Sequence, residues 1–479
     1  MQSPHQILGP SRRTLLLGGG AAIAAGAAAV ASAGPAAATS SGAATTSGAA
    51  TTSGMSAVSA AAGQAETAAI PSPDTLPLTG GPEFPIGLFW PPHPYASTAE
   101  RFTEIKEAGF DFVISGNYAG DGNIFQHQLG LARTAGLQML ISDDIQIRNM
   151  ARWFSISDNP ADFLSITPAE AREFYTRARN AYGPYSSLAG FNFYDEPGPG
   201  WFGTLAKALA VSRELAPQLL PYINLFPSDD PAYYRNFVDV VKPSLVSFDR
   251  YPLLSEDRED ANYFHNWVIV RDAALRGDVP AWVFIQTLAY NGHREPTAAE
   301  LLWQTNISLA YGAKGIQYFT YWTPEAARGE GFGPALITVD GKRTSRYYAA
   351  QKINTTWLHQ VGRELKPLIS ETVVHANESP LPNSTTGFTP TDLVTNITGQ
   401  PVVVGTFRSR DTTVKDRWLL VANRSHSTSA KATVVLNPSN VYGVEVFQPI
   451  SKQYSTTRAA GVPLSLAPGA ATLLRLKVR

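Results

Sequence analysis

Two adjacent carboxylates, Asp195 and Glu196, followed by Pro197, close the apolar run Leu188-Ala-Gly-Phe-Asn-Phe-Tyr194. A Glu set beside another acid at the end of a buried segment is suited to moving a proton, because the neighbouring charge and an apolar setting both favour its acid form. The tripeptide runs on into Gly-Pro-Gly and is also turn chemistry, so its meaning depends on what shares its surroundings. Asp249, in Ser247-Phe-Asp-Arg-Tyr-Pro252, is a second acid at the end of an apolar run, with Tyr251 close by. Arg250 is a local cation that could instead pair with it. Asp143 and Asp144 follow Gln138–Ser142, where they also suit the cap of a following helix. Asn117, Tyr118, Tyr194, Gln286, Trp90 and Trp322 add amides and aromatics, with core packing as the competing role of the tryptophans. Acids, amides and flat rings, with little Lys or Arg, are the composition sugar chemistry requires. Carboxylates transfer protons and attack, amides hold hydroxyls, and rings lie under pyranose faces.

These residues meet only if the chain folds as repeating strand–helix units. Short apolar runs at 85–90, 110–115, 138–142, 188–194, 220–225, 245–249, 281–286 and 315–322 read as strands. Helix-like segments lie between them, at 98–108, 125–135, 168–181, 202–215, 232–241 and 297–311. Ser97-Thr-Ala-Glu100 resembles a capping box, and Thr167-Pro168 and Glu295-Pro-Thr297 are helix starts. The pattern predicts an α/β fold, a (β/α)8 TIM barrel over residues 81–367, in which the residues just past each strand converge on one mouth. A doubly wound open sheet would want a Gly-rich turn after the first strand, and Gly87-Leu-Phe-Trp-Pro-Pro92 is not one. After Leu365 the helical period stops. Runs at 402–408, 416–423, 431–436, 442–447 and 471–478 predict a C-terminal antiparallel β-sandwich over residues 368–479.

On that frame, Asp195-Glu196-Pro197 at the fourth strand resembles the Asn-Glu-Pro signature of the retaining (β/α)8 glycoside hydrolase superfamily. The resemblance implies that Glu196 is the general acid/base and that Asp195 stands where an Asn binds the sugar 2-hydroxyl. It also implies that Trp322, past the eighth strand, is an aromatic platform. The segment with Val421-Ala-Asn-Arg424 and Ala467-Pro-Gly469 is similar to sandwiches appended to such barrels. The architecture covers residues 84–479, while the motif is three residues long. Two departures stand out. Asp replaces Asn, and the seventh strand, where the superfamily places a nucleophilic Glu, ends in Ile285-Gln286-Thr287. Glutamine does not attack an anomeric carbon as a carboxylate does. Three sources of a second carboxylate are open: Asp249, Asp143 or Asp144, and Asp195 itself. The last follows N-acetylhexosaminidases, where an adjacent Asp orients the substrate's acetamido group as nucleophile.

Composition narrows the remaining classes. The 479 residues contain 38 Lys and Arg against 39 acids, which gives no reason to expect nucleic acid or an anionic membrane surface as partner. There is no cysteine, and the eight histidines do not cluster, so neither a metal nor another cofactor is expected. Ser11-Arg-Arg-Thr-Leu-Leu-Leu17, the Gly/Ala-rich stretch after it and Ala31-Ser-Ala33 read as a twin-arginine signal peptide over residues 1–33. The twin-arginine translocase is then an export partner, the mature chain is extracellular, and no stable membrane insertion is expected. Residues 34–80, rich in Ala, Thr, Ser and Gly, read as a flexible linker. The expectation is a secreted, cofactor-free hydrolase of a poly- or oligosaccharide, with Glu196 as acid, Asp249 as second carboxylate and Asp195 tuning the site. The competing readings are a non-catalytic carbohydrate-binding barrel of the cell surface, favoured by the missing seventh-strand Glu, and a cell-wall scaffold.

Overall fold

A computed structural model describes residues 69–479 except 119, 160 and 458–459. The expected signal peptide and residues 34–68 of the expected linker lie outside the described residues. The strands of the first domain are β1 (Ile86–Phe89), β2 (Phe112–Ile114), β3 (Gln138–Ser142), β4 (Leu188–Asp195), β5 (Leu220–Leu225), β6 (Val246–Asp249), β7 (Ala281–Gln286) and β8 (Gly315–Phe319). They close into a barrel in the order β1-β8-β7-β6-β5-β4-β3-β2, and every pairing is parallel. Residues on β4 to β8 are buried throughout, because helices cover the outer face and side chains fill the inner one. Continuous apolar runs, rather than alternation, are the outcome.

The outer ring is α1 (Ala99–Glu107), α2 (Gly122–Ala135), α3 (Pro168–Tyr182), α4 (Phe202–Leu215), α5 (Pro231–Val241), α6 (Tyr263–Arg276), α7 (Ala298–Ala310) and α8 (Ser345–Ile353). Capping boxes open α3 and α7, where Thr167 pairs with Glu170 and Thr297 with Glu300. The cap of α1 falls one residue later than expected. Thr98 accepts the Arg101 N–H, while Ser97 is buried and donates towards the Pro92 and His93 carbonyls. The sequence pattern did not mark α6. It buries Tyr263, Phe264, Asn266, Trp267, Ile269 and Val270, on too many sides for a clean amphipathic period.

The linker reading fails at its end. Pro73–Thr75 form a 3-10 turn, Leu76 is buried, and the Lys366 ammonium donates to the carbonyls of Gly80 and Glu83 at 2.9 and 2.6 Å. Leu76 and Thr79 give this stretch buried anchors that the Ala/Thr/Ser run before it lacks.

The C-terminal domain adds β9 (Ile369–Ala376), β10 (Val394–Gly399), β11 (Val402–Arg408), β12 (Arg417–Asn423), β13 (Ala430–Leu436), β14 (Val441–Gln448), β15 (Gln453–Thr457), β16 (Gly461–Leu466) and β17 (Ala471–Val478). They form two antiparallel sheets, ordered β9-β11-β12-β17-β14-β15 and β10-β13-β16. The larger sheet is the middle layer. Val403, Phe407, Leu420 and Leu473 face the barrel core, and Val402, Val404, Leu419, Val421 and Leu474 face the smaller sheet. Gly405 permits this docking, since a Cβ there would stand 2.2 Å from the Ala310 carbonyl oxygen at the end of α7. Hydrogen bonds from Trp303 to the Arg424 carbonyl (2.9 Å) and from Asn306 to the Gly469 carbonyl (2.8 Å) complete the joint.

Candidate active site

The C-terminal ends of β1 to β4 are marked by backbone conformation. Trp90, Asn117, Tyr118, Asp143 and Glu196 have φ values of 63°, 52°, 65°, 71° and 58°. Left-handed backbone is costly for a bulky residue such as Trp, and it turns each side chain sharply out of its strand.

Asp195, Glu196 and Asp249 are 2%, 3% and 2% exposed. All three are organised around Asn224 of β5. Asp195 pairs with Asn224 in register, and the Glu196 N–H donates to the Asn224 carbonyl at 2.8 Å. The Asn224 amide then donates to Asp249 Oδ1 at 2.9 Å. Its orientation is set from below by a relay through the barrel interior. Tyr222 donates to Gln317 (2.8 Å), Gln317 to Ser247 (3.0 Å) and Ser247 to Asn224 Oδ1 (3.0 Å). With its oxygen occupied, the Asn224 side chain can present only N–H to Asp249. Tyr233 of α5 donates to the Pro197 carbonyl at 2.7 Å. Burial pushes the Tyr233 phenol well above its ordinary range, and Tyr234 and the charges of Glu196 and Asp249 add to this. One hydroxyl therefore senses both carboxylates. Arg250 turns away from Asp249 and bridges Asp229 and Asp260, each at 2.5 Å.

Aromatic rings at and after the ends of β1, β6, β7 and β8 pack on one another. Phe319 stacks on Phe89 and on Tyr251, with ring centres 6.1 and 5.0 Å apart, and Tyr290 stacks on Phe332 at 5.5 Å. His293 stacks on Tyr290 at 5.1 Å and packs edge-on against Tyr251; burial pushes its imidazole down to about 4. Trp90 is buried beside Tyr118 and under the Arg328 guanidinium, 4.9 Å from its ring. Tyr194 packs on Trp201, with the Arg152 guanidinium over its ring.

Five expected site residues make contacts with backbone, cations or core. Asn117 donates to the Pro91 carbonyl at 2.6 Å and pins the turn after β1. Asp144 caps a short helical turn through the N–H groups of Gln146 and Ile147, and its other oxygen accepts from Tyr182 at 2.7 Å. Asp143 is tied to Arg148 and Arg152 at 2.6 and 3.1 Å. Gln286 uses its amide on backbone, accepting from Leu253 N–H and donating to the Leu253 and Arg294 carbonyls. Trp322 lies beyond the end of β8, buried between His93 and the Arg101 guanidinium.

The sequence reading missed Asn224, Tyr233, Tyr290 and Glu330. Asn224 was legible as an amide two residues past Tyr222 in an otherwise apolar run. Glu330 carried no signal in its Gly-rich loop. It is buried beside Arg328, 3.7 Å away, and neither carboxylate oxygen has a hydrogen-bond partner among the described residues. Burial pushes its carboxyl above the usual range despite Arg328. Among the described residues no group of His, Asp and Glu could hold a metal ion, and no helix is long and apolar enough to cross a membrane.

No protein-family model and no curated protein matches the chain. Solved structures do. A GH27 β-L-arabinopyranosidase of Geobacillus stearothermophilus is 11% identical, with 83% of this chain and 97% of that one covered at a TM-score of 0.47. A glycoside hydrolase family 30 subfamily 8 xylanase of Clostridium acetobutylicum is 12% identical, with 82% and 96% covered at 0.41. A GH51 α-L-arabinofuranosidase of Thermotoga petrophila is 10% identical, with 79% and 89% covered at 0.41.

Proposed function

We propose that this chain is a glycoside hydrolase acting on a poly- or oligosaccharide by carboxylate catalysis. The observation that carries the reading is the attachment of Asp195, Glu196 and Asp249 to one residue, Asn224, at the mouth of the barrel. Glu196 in its acid form donates its proton to the glycosidic oxygen as the bond to the anomeric carbon breaks. Asp249 acts at that carbon, by direct attack or by taking a proton from an attacking water, and Asp195 sits beside Glu196 to tune it. With Gln286 tied to backbone, the acid pair is built on β4 and β6 rather than on β4 and β7. Tyr95, Tyr118 and Trp153, 98%, 44% and 45% exposed after β1, β2 and β3, offer faces for sugar units outside the mouth.

The test is hydrolysis of a panel of aryl glycosides and polysaccharides, with product anomers followed by NMR. Glu196→Gln and Asp249→Asn are each expected to lower kcat by about 10²–10⁴-fold with KM little changed. The first anomer released reports whether Asp249 attacks directly. Release that survives Glu196→Gln would overturn the assignment. We also propose export of the chain by the twin-arginine route. Replacing Arg12 and Arg13 by Lys should leave the protein inside the cell, and unchanged secretion would refute it.

A further inference from the structure

A cavity of about 550 Å³ lies at the end of the barrel opposite the mouth. The segment from Ser72 to Pro82, helix α6, the starts of β7 and β8 and the start of β9 all contribute to it. Arg271, Lys314, Arg363, Lys366 and Arg410 line it together with the acids Asp74, Asp278 and Glu364, and three of these cations have only neutral groups as hydrogen-bond acceptors. Arg271 donates to the Ser370 hydroxyl and carbonyl, both at 2.9 Å. Lys314 donates to the carbonyls of Leu365 and Leu368, both at 2.6 Å. Lys366 donates to the carbonyls of Gly80 and Glu83. No carboxylate lies within 4.0 Å of these three side-chain charges among the described residues. The lining acids and Glu83 have other partners or are exposed. Asp278 pairs with Arg410 at 3.2 Å, Glu83 pairs with Arg363 at 3.2 Å, Glu364 accepts from Tyr454, and Asp74 is exposed.

Gathering partly buried cations with no carboxylate in contact is unfavourable. The strain registers on the lysines. Burial, then Arg410 and Lys366, push Lys314 down to about 7, and burial outweighs the charges of Asp74, Glu83 and Asp111 to push Lys366 down to about 8. Meanwhile the space far exceeds what a bare ion fills and lies in the range of small-molecule sites.

We propose that this cavity binds a small organic anion, of the size of a sugar acid or sugar phosphate, through a carboxylate or phosphate head placed among Arg271, Lys314 and Lys366. Residues around the N-terminal ends of barrel strands bear on stability rather than chemistry. The ligand would therefore fasten the Ser72–Pro82 segment, the barrel and the sandwich to one another.

Thermal unfolding of the full chain tests this with glucuronate, glucose 6-phosphate, inorganic phosphate and sodium chloride at matched ionic strength. A saturable rise in Tm of about 2–4 °C at high excess is expected from glucuronate or glucose 6-phosphate, beyond that from chloride. A larger response to inorganic phosphate than to either sugar anion would show an oxyanion site without the organic body and overturn the size assignment. Equal shifts in all four solutions, or none, would overturn the site. Lys366→Gln should weaken the response at least tenfold. Leu275→Glu is the second variant. It changes a half-exposed residue one helical turn after Arg271, lining the same cavity, and supplies a counter-charge. It should raise Tm without ligand and abolish the ligand response; a response persisting unchanged in both variants would refute the proposal. Glu196→Gln should respond like the unmodified chain, so the two functional readings fail separately.

Discussion

Two amides divide the labour at the mouth. Asn224 donates to the Asp249 carboxylate, whereas Gln286 faces backbone and holds the loops after β6 and β7 together. Asn224→Leu keeps the volume but removes the donor to Asp249 and the acceptor for Ser247. The expected outcome is a kcat about 10–10²-fold lower, since small misplacement of a reacting group is costly, with the fold retained by circular dichroism. Gln286→Glu would create an acid at the end of β7, yet no new activity is expected. The carboxylate would face the Leu253 and Arg294 carbonyls and lose about 1–3 kcal/mol in denaturant unfolding. A gain in hydrolysis instead would restore β7 to the mechanism. His293 carries a pH signature. Its imidazole titrates at about 4 when folded against 6.5 as its ordinary value, so its stabilising contribution is complete above 6.5 and is lost as pH falls towards 4. His293→Phe should flatten the decline of Tm across that window.

At the scale of elements, α7 is the hub between the two domains. Its capping box starts it, Trp303 and Asn306 bind sandwich carbonyls, and its last turn meets Gly405. Gly405→Ala should cost about 1–3 kcal/mol, because the methyl group meets backbone that cannot swing aside. Measured stability unchanged within 0.5 kcal/mol would contradict that packing. The strands of the barrel were legible because buried parallel strands leave uninterrupted apolar runs. The helices α6 and α8 were not, and neither was β10, whose Val394-Thr-Asn-Ile-Thr-Gly399 lacks a strict two-residue period. Among site residues, the acids on β4 and β6 could be placed from their position after a strand. Asn117, Gln286 and Trp322 share that position but turn to backbone or core, and sequence does not encode which way a side chain turns after the last paired residue.

Across the whole molecule, a charged seam joins the barrel loops to the sandwich. Arg424 pairs with Glu259 at 3.1 Å and with Glu378 at 2.8 Å, and His426 lies 3.1 Å from both Glu259 and Glu300. Burial acts to raise the Glu259 and Glu300 carboxyls, but His426 and Arg424 at the first, and Arg294 with the Thr297 N–H at the second, outweigh it and hold both below the usual range. Depressed carboxylates stabilise the fold above their ordinary values and lose that contribution as pH falls through the folded ones. Acid unfolding between about pH 5 and 3 should therefore begin at this seam, and Arg424→Gln should reduce the slope of stability against pH there. A slope unaltered by that substitution would place the acid sensitivity elsewhere.

The fastening of residues 76–83 beneath the barrel has a consequence for orientation. Leu76 and the Lys366 contacts fix the incoming chain at the face opposite Asp195, Glu196 and Asp249. The chain before Leu76 therefore enters at the end of the barrel away from the carboxylates.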